Sequence, residues 1–182
     1  MMGSVQISEI APLIKRAAAE AGFDLCGIAP ASDHHELNYF HEWIAAGHAG
    51  EMKYLEARDE HGNLKRASLS RIAPWAKSVI VCAINYNTAE PYSTQVQDPT
   101  RGWISRYAWS KEDYHDAVLR RLKQVEKALW GGHSCPPDLT TRRYVDTGPI
   151  VERVFAKYAG IGWIGKNTCI INQRIGSWLF LG

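Results

Sequence analysis

Residues 144–182 read YVDTGPIVERVFAKYAGIGWIGKNTCIINQRIGSWLFLG. A short strand over Arg142–Val145 is predicted to deliver Asp146 onto a turn, Asp146-Thr147-Gly148-Pro149. Pro149 suits the first position of a helix, because the N–H it lacks would have no partner there. The helix is expected to run to Ala159, where Gly160 stops it, with Gly162 and Gly165 close behind. A carboxylate carried on a strand-to-helix turn faces a crevice rather than a core, and the glycines let backbone come close to a neighbour. Lys166, Asn167, Ser177 and Trp178 return on a loop and a final strand. Residue pattern alone leaves Asp146 equally readable as a turn or helix-capping residue.

Outward from this stretch, 182 residues at 46% hydrophobic suffice to bury one sizeable core, so one globular domain is expected. The net charge of +2 conceals an asymmetry: residues 1–99 hold 8 Lys/Arg against 12 Asp/Glu, and residues 100–182 hold 13 against 7. A basic second half suits a phosphate-bearing cofactor or RNA, and equally a solvated surface without a partner. Cys26, Cys82, Cys135 and Cys169 form no CxxC pair, which argues against a metal site or cluster made by this chain alone. Cys82 and Cys169 lie in apolar, strand-like runs and are expected to pack as small core residues. No apolar run approaches the roughly 20 residues of a membrane span, and no secretory leader is visible. A cytoplasmic monomer without membrane partners is the resulting expectation.

Taken from its start, the chain shows an amphipathic helix from Ser8 to about Ala21. Ser8 is its expected N-cap, and Ile10, Leu13, Ile14, Ala17 and Ala21 share one face. Phe23–Ala29 reads as a short strand, and Asp33 as the start of a second helix through Ala46. His34, His35 and His41 invite a metal reading. Adjacent residues diverge by about 100° on a helix, however, which favours surface or capping roles. Residues 51–55 read as a helical turn and 58–71 as a polar loop. Lys77–Tyr86 is the clearest strand, apolar enough for burial on both faces. A long loop over 87–102 follows. Asp113 then opens a helix to Trp130 with Val118, Leu119, Leu122, Val125 and Leu129 as its buried stripe, ended by Gly131-Gly132 before a loop with Pro136 and Pro137. Loose alternation of helix and strand indicates an α/β class, an α+β sandwich with a central sheet flanked by helices.

Asp146-Thr147-Gly148-Pro149, then Glu152-Arg153, then the run from Ala159 to Asn167 (AGIGWIGKN), then Gly176 to Gly182 (GSWLFLG) together resemble the signature of the epoxyqueuosine reductase family. The resemblance implies a cobalamin-dependent oxidoreductase with 4Fe-4S clusters, acting on tRNA that carries epoxyqueuosine and fed by an external electron donor. It implies a nitroreductase-like, cobalamin-processing-like fold, with residues 1–182 as the cobalamin-binding N-terminal domain. The chain stops within an apolar strand, so a fragment ahead of the ferredoxin-like, cluster-bearing domain is expected. By the same resemblance, Asp146 is the proton donor and an Arg of residues 58–71, Arg66 or Arg71, contacts the corrin. Arg106-Tyr107-Ala108 leads to Asp113-Tyr114-His115, with Ser110-Lys111-Glu112 in place of a Gly-centred link. Arg106, Tyr107, His115, Thr147, Arg153, Lys166, Asn167 and Ser177 are the further cofactor-binding candidates, and no residue is assigned as a metal ligand.

The implied reaction removes an epoxide oxygen, leaving an alkene and water and consuming two electrons and two protons. The cobalt centre supplies the electronic part and the protein supplies position and protons. Oxygen has to be protonated as its C–O bonds break, which calls for an acid within ~2.6–3.2 Å. An ordinary Asp titrates near pH ~3.9, so the role needs burial or resupply of the proton from solvent or a neighbour. Two other readings compete: a cobalamin or flavin carrier without chemistry, and a reductive dehalogenase-like enzyme, which would more often present a Tyr as donor.

Overall fold

The computed structural model describes residues 7–131 and 139–182. Helix α1 (Ile7–Glu20) leads into strand β1 (Leu25–Pro30), and the short helices α2 (Tyr39–Ala45) and α3 (Leu69–Ile72) precede strand β2 (Ser78–Asn85). The long helix α4 (Tyr114–Trp130) is followed by α5 (Glu152–Tyr158), the hairpin strands β3 (Trp163–Ile164) and β4 (Ile170–Ile171), and β5 (Leu179–Leu181). Strand β2 is central: β1 lies antiparallel on one side, Leu25 opposite Ala83 through Pro30 opposite Ser78, and β5 antiparallel on the other.

The apolar run read in β2 is buried on both faces because its alternate side chains enter two different clusters. Ile80, Cys82 and Ile84 join α1 and α4 through Ile14, Ala18, Val118 and Val125. Val79, Val81 and Ala83 join α5, α3 and the hairpin through Phe155, Ala156, Leu69 and Ile170. The result is a mixed α/β layering, a small antiparallel sheet with helices on both sides. Helix α5 lies unusually near β1, since a Cβ on Gly27 would collide with the main-chain carbonyl of Ala159. Only glycine permits that approach.

Several local expectations are corrected. Residues 142–145 form no strand: only Val145 is buried, Arg142 and Arg143 are exposed, and one apolar side chain gives pairing no register to hold. Helix α5 starts at Glu152 rather than Pro149, because Asp146 takes a left-handed φ of 58° and the bends continue to Ile150. Asp33 does not cap the second helix. It accepts instead from the Leu69 N–H at 2.9 Å and the Ser68 and Ser70 hydroxyls at 2.8 and 3.0 Å, so it anchors the start of α3. The expected helix is therefore split into a 3-10 turn over His35–Asn38 and α2. His34 is no surface residue: it is buried, stacked on Tyr158 at 3.6 Å and edge-on to Phe155. The "polar loop" of 58–71 contains a 3-10 turn, most of α3 and the fully buried Leu64. Ser8 falls inside the first turn of α1 rather than ahead of it. Gly132, Cys135, Pro136 and Pro137 lie outside the described residues. No described helix is long and apolar enough to cross a membrane.

The Gly27 contact carries a test. Gly27→Ala is expected to destabilise the domain by about 1–3 kcal/mol, since main-chain carbonyl cannot yield as a flexible side chain would. Urea denaturation monitored by tryptophan fluorescence measures it. A wild-type midpoint would show that α5 is free to move off β1.

Candidate active site

Asp146 stands at a bend between Val145, which is anchored in the core, and the start of α5. The bend is tight: the Thr147 N–H donates to the Val145 carbonyl, and Gly148 is pressed against the Tyr144 ring so closely that a Cβ there would overlap it. Left-handed backbone at a residue other than glycine is uncommon, with Asp among the more tolerant types. The side chain it projects is 63% exposed and reaches the wall of a cleft of about 430 Å³. Aromatic groups of Tyr86, Tyr107, Tyr114 and Phe180 line that cleft, together with Glu152, Arg153, Cys169 and Ser177. A second, more apolar cavity of about 220 Å³ runs beside β2 and α4, and Glu152 stands in the wall of both.

The first turn of α4 brings two groups to Asp146. The Tyr114 hydroxyl donates to Oδ2 at 2.7 Å, and His115 Nε2 lies 3.7 Å from the same oxygen. Desolvation, reinforced by the Asp146 carboxylate, pushes the Tyr114 phenol well above its ordinary range, so it stays a neutral donor. Asp113 caps α4 by accepting from the His115 N–H at 2.8 Å, and its Oδ1 is also 2.8 Å from His115 Nδ1. These bonds hold the Asp113 carboxyl below the usual carboxylate range. With Nδ1 donating to Asp113, Nε2 is left to face Asp146, an arrangement in which one imidazole links two carboxylates.

Glu152 fixes the other side of the bend. Its Oε1 accepts from the Asp146 main-chain N–H at 2.7 Å. Burial pushes its pKa from 4.5 up to about 6; the Asp146 N–H and the guanidinium groups of Arg66 and Arg153 pull it down, while the charge of Asp146 adds to the rise. Arg66 reaches the same place from the 3-10 turn before α3, donating to the Ile150 carbonyl at 3.0 Å and lying 5.5 Å from the Tyr54 ring.

The sequence candidates thus divide. Asp146, Tyr107, Arg153 and Ser177 share the cleft, and His115 lies 3.7 Å from the Asp146 carboxylate. Of the two loop arginines, Arg66 is the one beside the Asp146 bend, whereas Arg71 is exposed on α3. Arg153 also donates to the Thr168 carbonyl at 2.8 Å, tying α5 to the hairpin. Arg106 is occupied elsewhere: it donates to the Thr88, Glu90 and Pro91 carbonyls and sits within 5 Å of the Tyr92, Trp109 and Trp178 rings. Thr147 is exposed on the bend, and Lys166 and Asn167 are exposed at the hairpin tip, where Asn167 accepts from the Cys169 N–H. Cys169, expected in the core, lines the cleft half-buried, while Cys82 is core as expected. Tyr114 was readable as part of a helix start but not as a partner of Asp146, since the contact spans 32 residues of chain. Glu152, next to Arg153 in the sequence, braces the Asp146 amide. Among the described residues no group of three or more His, Cys, Asp or Glu could hold a metal ion.

Comparison with known proteins shows what the chain as a whole is similar to. Residues 66–147 match the family model described as "Epoxyqueuosine reductase QueG, DUF1730". The epoxyqueuosine reductase of Synechocystis sp. is 42% identical over 159 residues, 86% of this chain and 50% of that protein. Among solved structures, an epoxyqueuosine reductase with an epoxyqueuosine-modified tRNA-Tyr stem loop superposes with a TM-score of 0.74 at 28% identity, covering 97% of this chain and 44% of that one. The Bacillus subtilis enzyme, seen with its catalytic aspartate loop swung out of the active site, gives 0.73 at 27% identity, covering 97% of this chain and 44% of that one. The chain spans about half the length of the relatives it matches.

The Glu152 environment sets a pH dependence. A carboxyl whose folded pKa is raised binds its proton more tightly in the folded state, so its contribution is complete below pH 4.5 and is lost as pH rises to about 6. The loss is on the order of 2 kcal/mol. Glu152→Gln is expected to remove this component. Urea midpoints of the two proteins, measured from pH 4 to 7, should converge at the acid end and separate in favour of the variant above pH 6.

Proposed function

The chain belongs to the epoxyqueuosine reductase family through its DUF1730 region, and on that premise we propose that it forms the cobalamin-binding, proton-donating part of an enzyme reducing epoxyqueuosine to queuosine in tRNA. The observation that carries the reading is the Asp146 carboxylate, turned toward an aromatic cleft and contacted by Tyr114 and His115. The donor set suits a flat macrocycle fringed with amides. Tyr86, Tyr107, Tyr114 and Phe180 offer an apolar wall, and Ser177 and Arg153 offer polar contacts at its edge. Cobalamin, when bound, supplies the electrons that break the carbon–oxygen bonds. The 4Fe-4S clusters and the contact with an external electron donor belong, on this reading, to residues of the whole protein outside this cobalamin-processing-like domain.

The remaining chemistry is proton delivery. Two protons and two electrons convert the epoxide to an alkene and water. Asp146 is solvent-accessible rather than buried, so of the two ways an Asp can serve as acid, resupply is the one its surroundings favour. After each transfer His115, its Nδ1–H held by Asp113, takes a solvent proton on Nε2 and passes that proton to Oδ2, and Tyr114 holds the carboxyl in place between transfers. On this reading the Asp146 bend corresponds to the catalytic loop seen swung out in the Bacillus subtilis enzyme. Such a loop lets a bulky tRNA nucleoside enter before the acid closes on it.

The test uses the full-length protein, in cells lacking the activity, with queuosine and epoxyqueuosine quantified in their tRNA. Wild type is expected to restore queuosine. Asp146→Asn should lower in vitro turnover by about 10²–10⁴, the usual span for a general acid. His115→Gln should lower it by about tenfold and steepen its dependence on pH, as a resupply step would. Full restoration by Asp146→Asn would remove the acid assignment, and failure of wild type would remove the family activity.

A further inference from the structure

We propose that Glu152 is the positioning residue of this site: its carboxylate, bonded to the Asp146 main-chain N–H, is the latch that keeps the Asp146 bend turned to the cleft. The proposal rests on Asp146 being the acid, and adds to that reading what holds the acid in place.

The bend has few other tethers. Asp146 adopts a φ of 58°, a conformation a non-glycine residue keeps only when its surroundings impose it. Pro149 has no N–H to donate, and the Thr147 N–H is spent on Val145 within the bend itself. Beyond the Glu152 bond, two hydrogen bonds among the described residues tie the segment to the rest of the fold: Tyr114 to the Asp146 carboxylate, and Arg66 to the Ile150 carbonyl. The Tyr114 bond holds the side chain through Oδ2 and leaves the main chain of Asp146 ungripped. Arg66 secures the far end of the segment, next to α5. Among the described residues the Glu152 bond alone grips the main chain of Asp146, and it does so without using either carboxylate oxygen of the acid.

Glu152 is placed for such a role by rigid structure. It is the first residue of α5, whose Val154, Phe155 and Ala156 are buried against the sheet. Arg66 and Arg153 flank it with positive charge, and Asp146 opposes it with negative charge. A bond between a charged acceptor and an N–H is stronger than a neutral one, and its loss leaves a partly buried carboxylate without a partner. The same contact would have to break for the bend to swing away, so it sets the balance between the two positions of the loop.

The experiment reads the bend directly, on this chain, by hydrogen exchange of the ¹⁵N-labelled Asp146 amide. Glu152→Ala is expected to speed exchange by about 10- to 100-fold, the range for a lost hydrogen bond to a charged group. Glu152→Gln, which keeps an acceptor oxygen, should recover most of the protection. Exchange at Val81 and Cys82 in the central strand should stay at wild-type rates in both. Unchanged Asp146 exchange in Glu152→Ala overturns the latch. Equal acceleration at Asp146 and the central strand also overturns it, by showing that Glu152 serves the fold as a whole. In the full-length enzyme Glu152→Ala should lower kcat with little change in KM for tRNA. If Asp146→Asn proves fully active while Glu152→Ala still frees the bend, the acid assignment fails and the latch stands.

Discussion

Helix α5 can lie on β1 only because Gly27 presents no side chain to the Ala159 carbonyl, and most of what gives the site its shape follows from that approach. With the end of α5 fixed, Phe155 and Ala156 fill the space above Val81 and Ala83, closing one face of the sheet. The start of the same helix then sets Glu152 and Arg153 at the cleft, and its end turns at Gly160 into the hairpin that carries Cys169. Gly162 repeats the device against the Ile171 carbonyl, so the chain entering β3 lies tight against β4. A short helix of seven residues has little stability of its own, and here tertiary packing supplies it.

The cleft gathers its chemistry from separate parts of the chain. The Asp146 bend provides a carboxylate, the first turn of α4 a phenol and an imidazole, and the first turn of α5 a second carboxylate. The two carboxylates are held apart in role by environment. Glu152 is withdrawn from solvent and raised in pKa, while Asp146 stands in the open with donors around it. On the proposed reading, that division leaves Asp146 to exchange protons with its surroundings and Glu152 to serve as an anchor.

Three arginines of this domain bond main-chain carbonyls of segments bordering the cleft. Arg106 gathers three carbonyls of residues 88–91 beneath three aromatic rings, which converts a long loop into a fixed rim beside Trp178 and Tyr86. Arg66 and Arg153 each tie a segment bordering the site to its neighbour through a main-chain carbonyl. The planar fork of the guanidinium suits this use, since one side chain can satisfy several acceptors that no strand pairs.

Periodicity alone determined the elements that bury a stripe or a ladder. The 3.6-residue pattern of α1 and α4 and the unbroken apolar run of β2 report burial directly, because each side chain's face is set by its place in the repeat. The Asp146-Thr147-Gly148-Pro149 turn and the runs that follow it were equally legible, as was the family they resemble. Contacts between distant segments were decided only by the tertiary structure. Asp33 was readable as a cap but not as a cap for a helix 36 residues away; Tyr114 gave no sign that it would meet Asp146; Glu152 gave none that its partner would be an amide rather than Arg153. Local sequence encodes which groups want partners, and packing of α4 and α5 across the sheet selects which partners come within 3 Å.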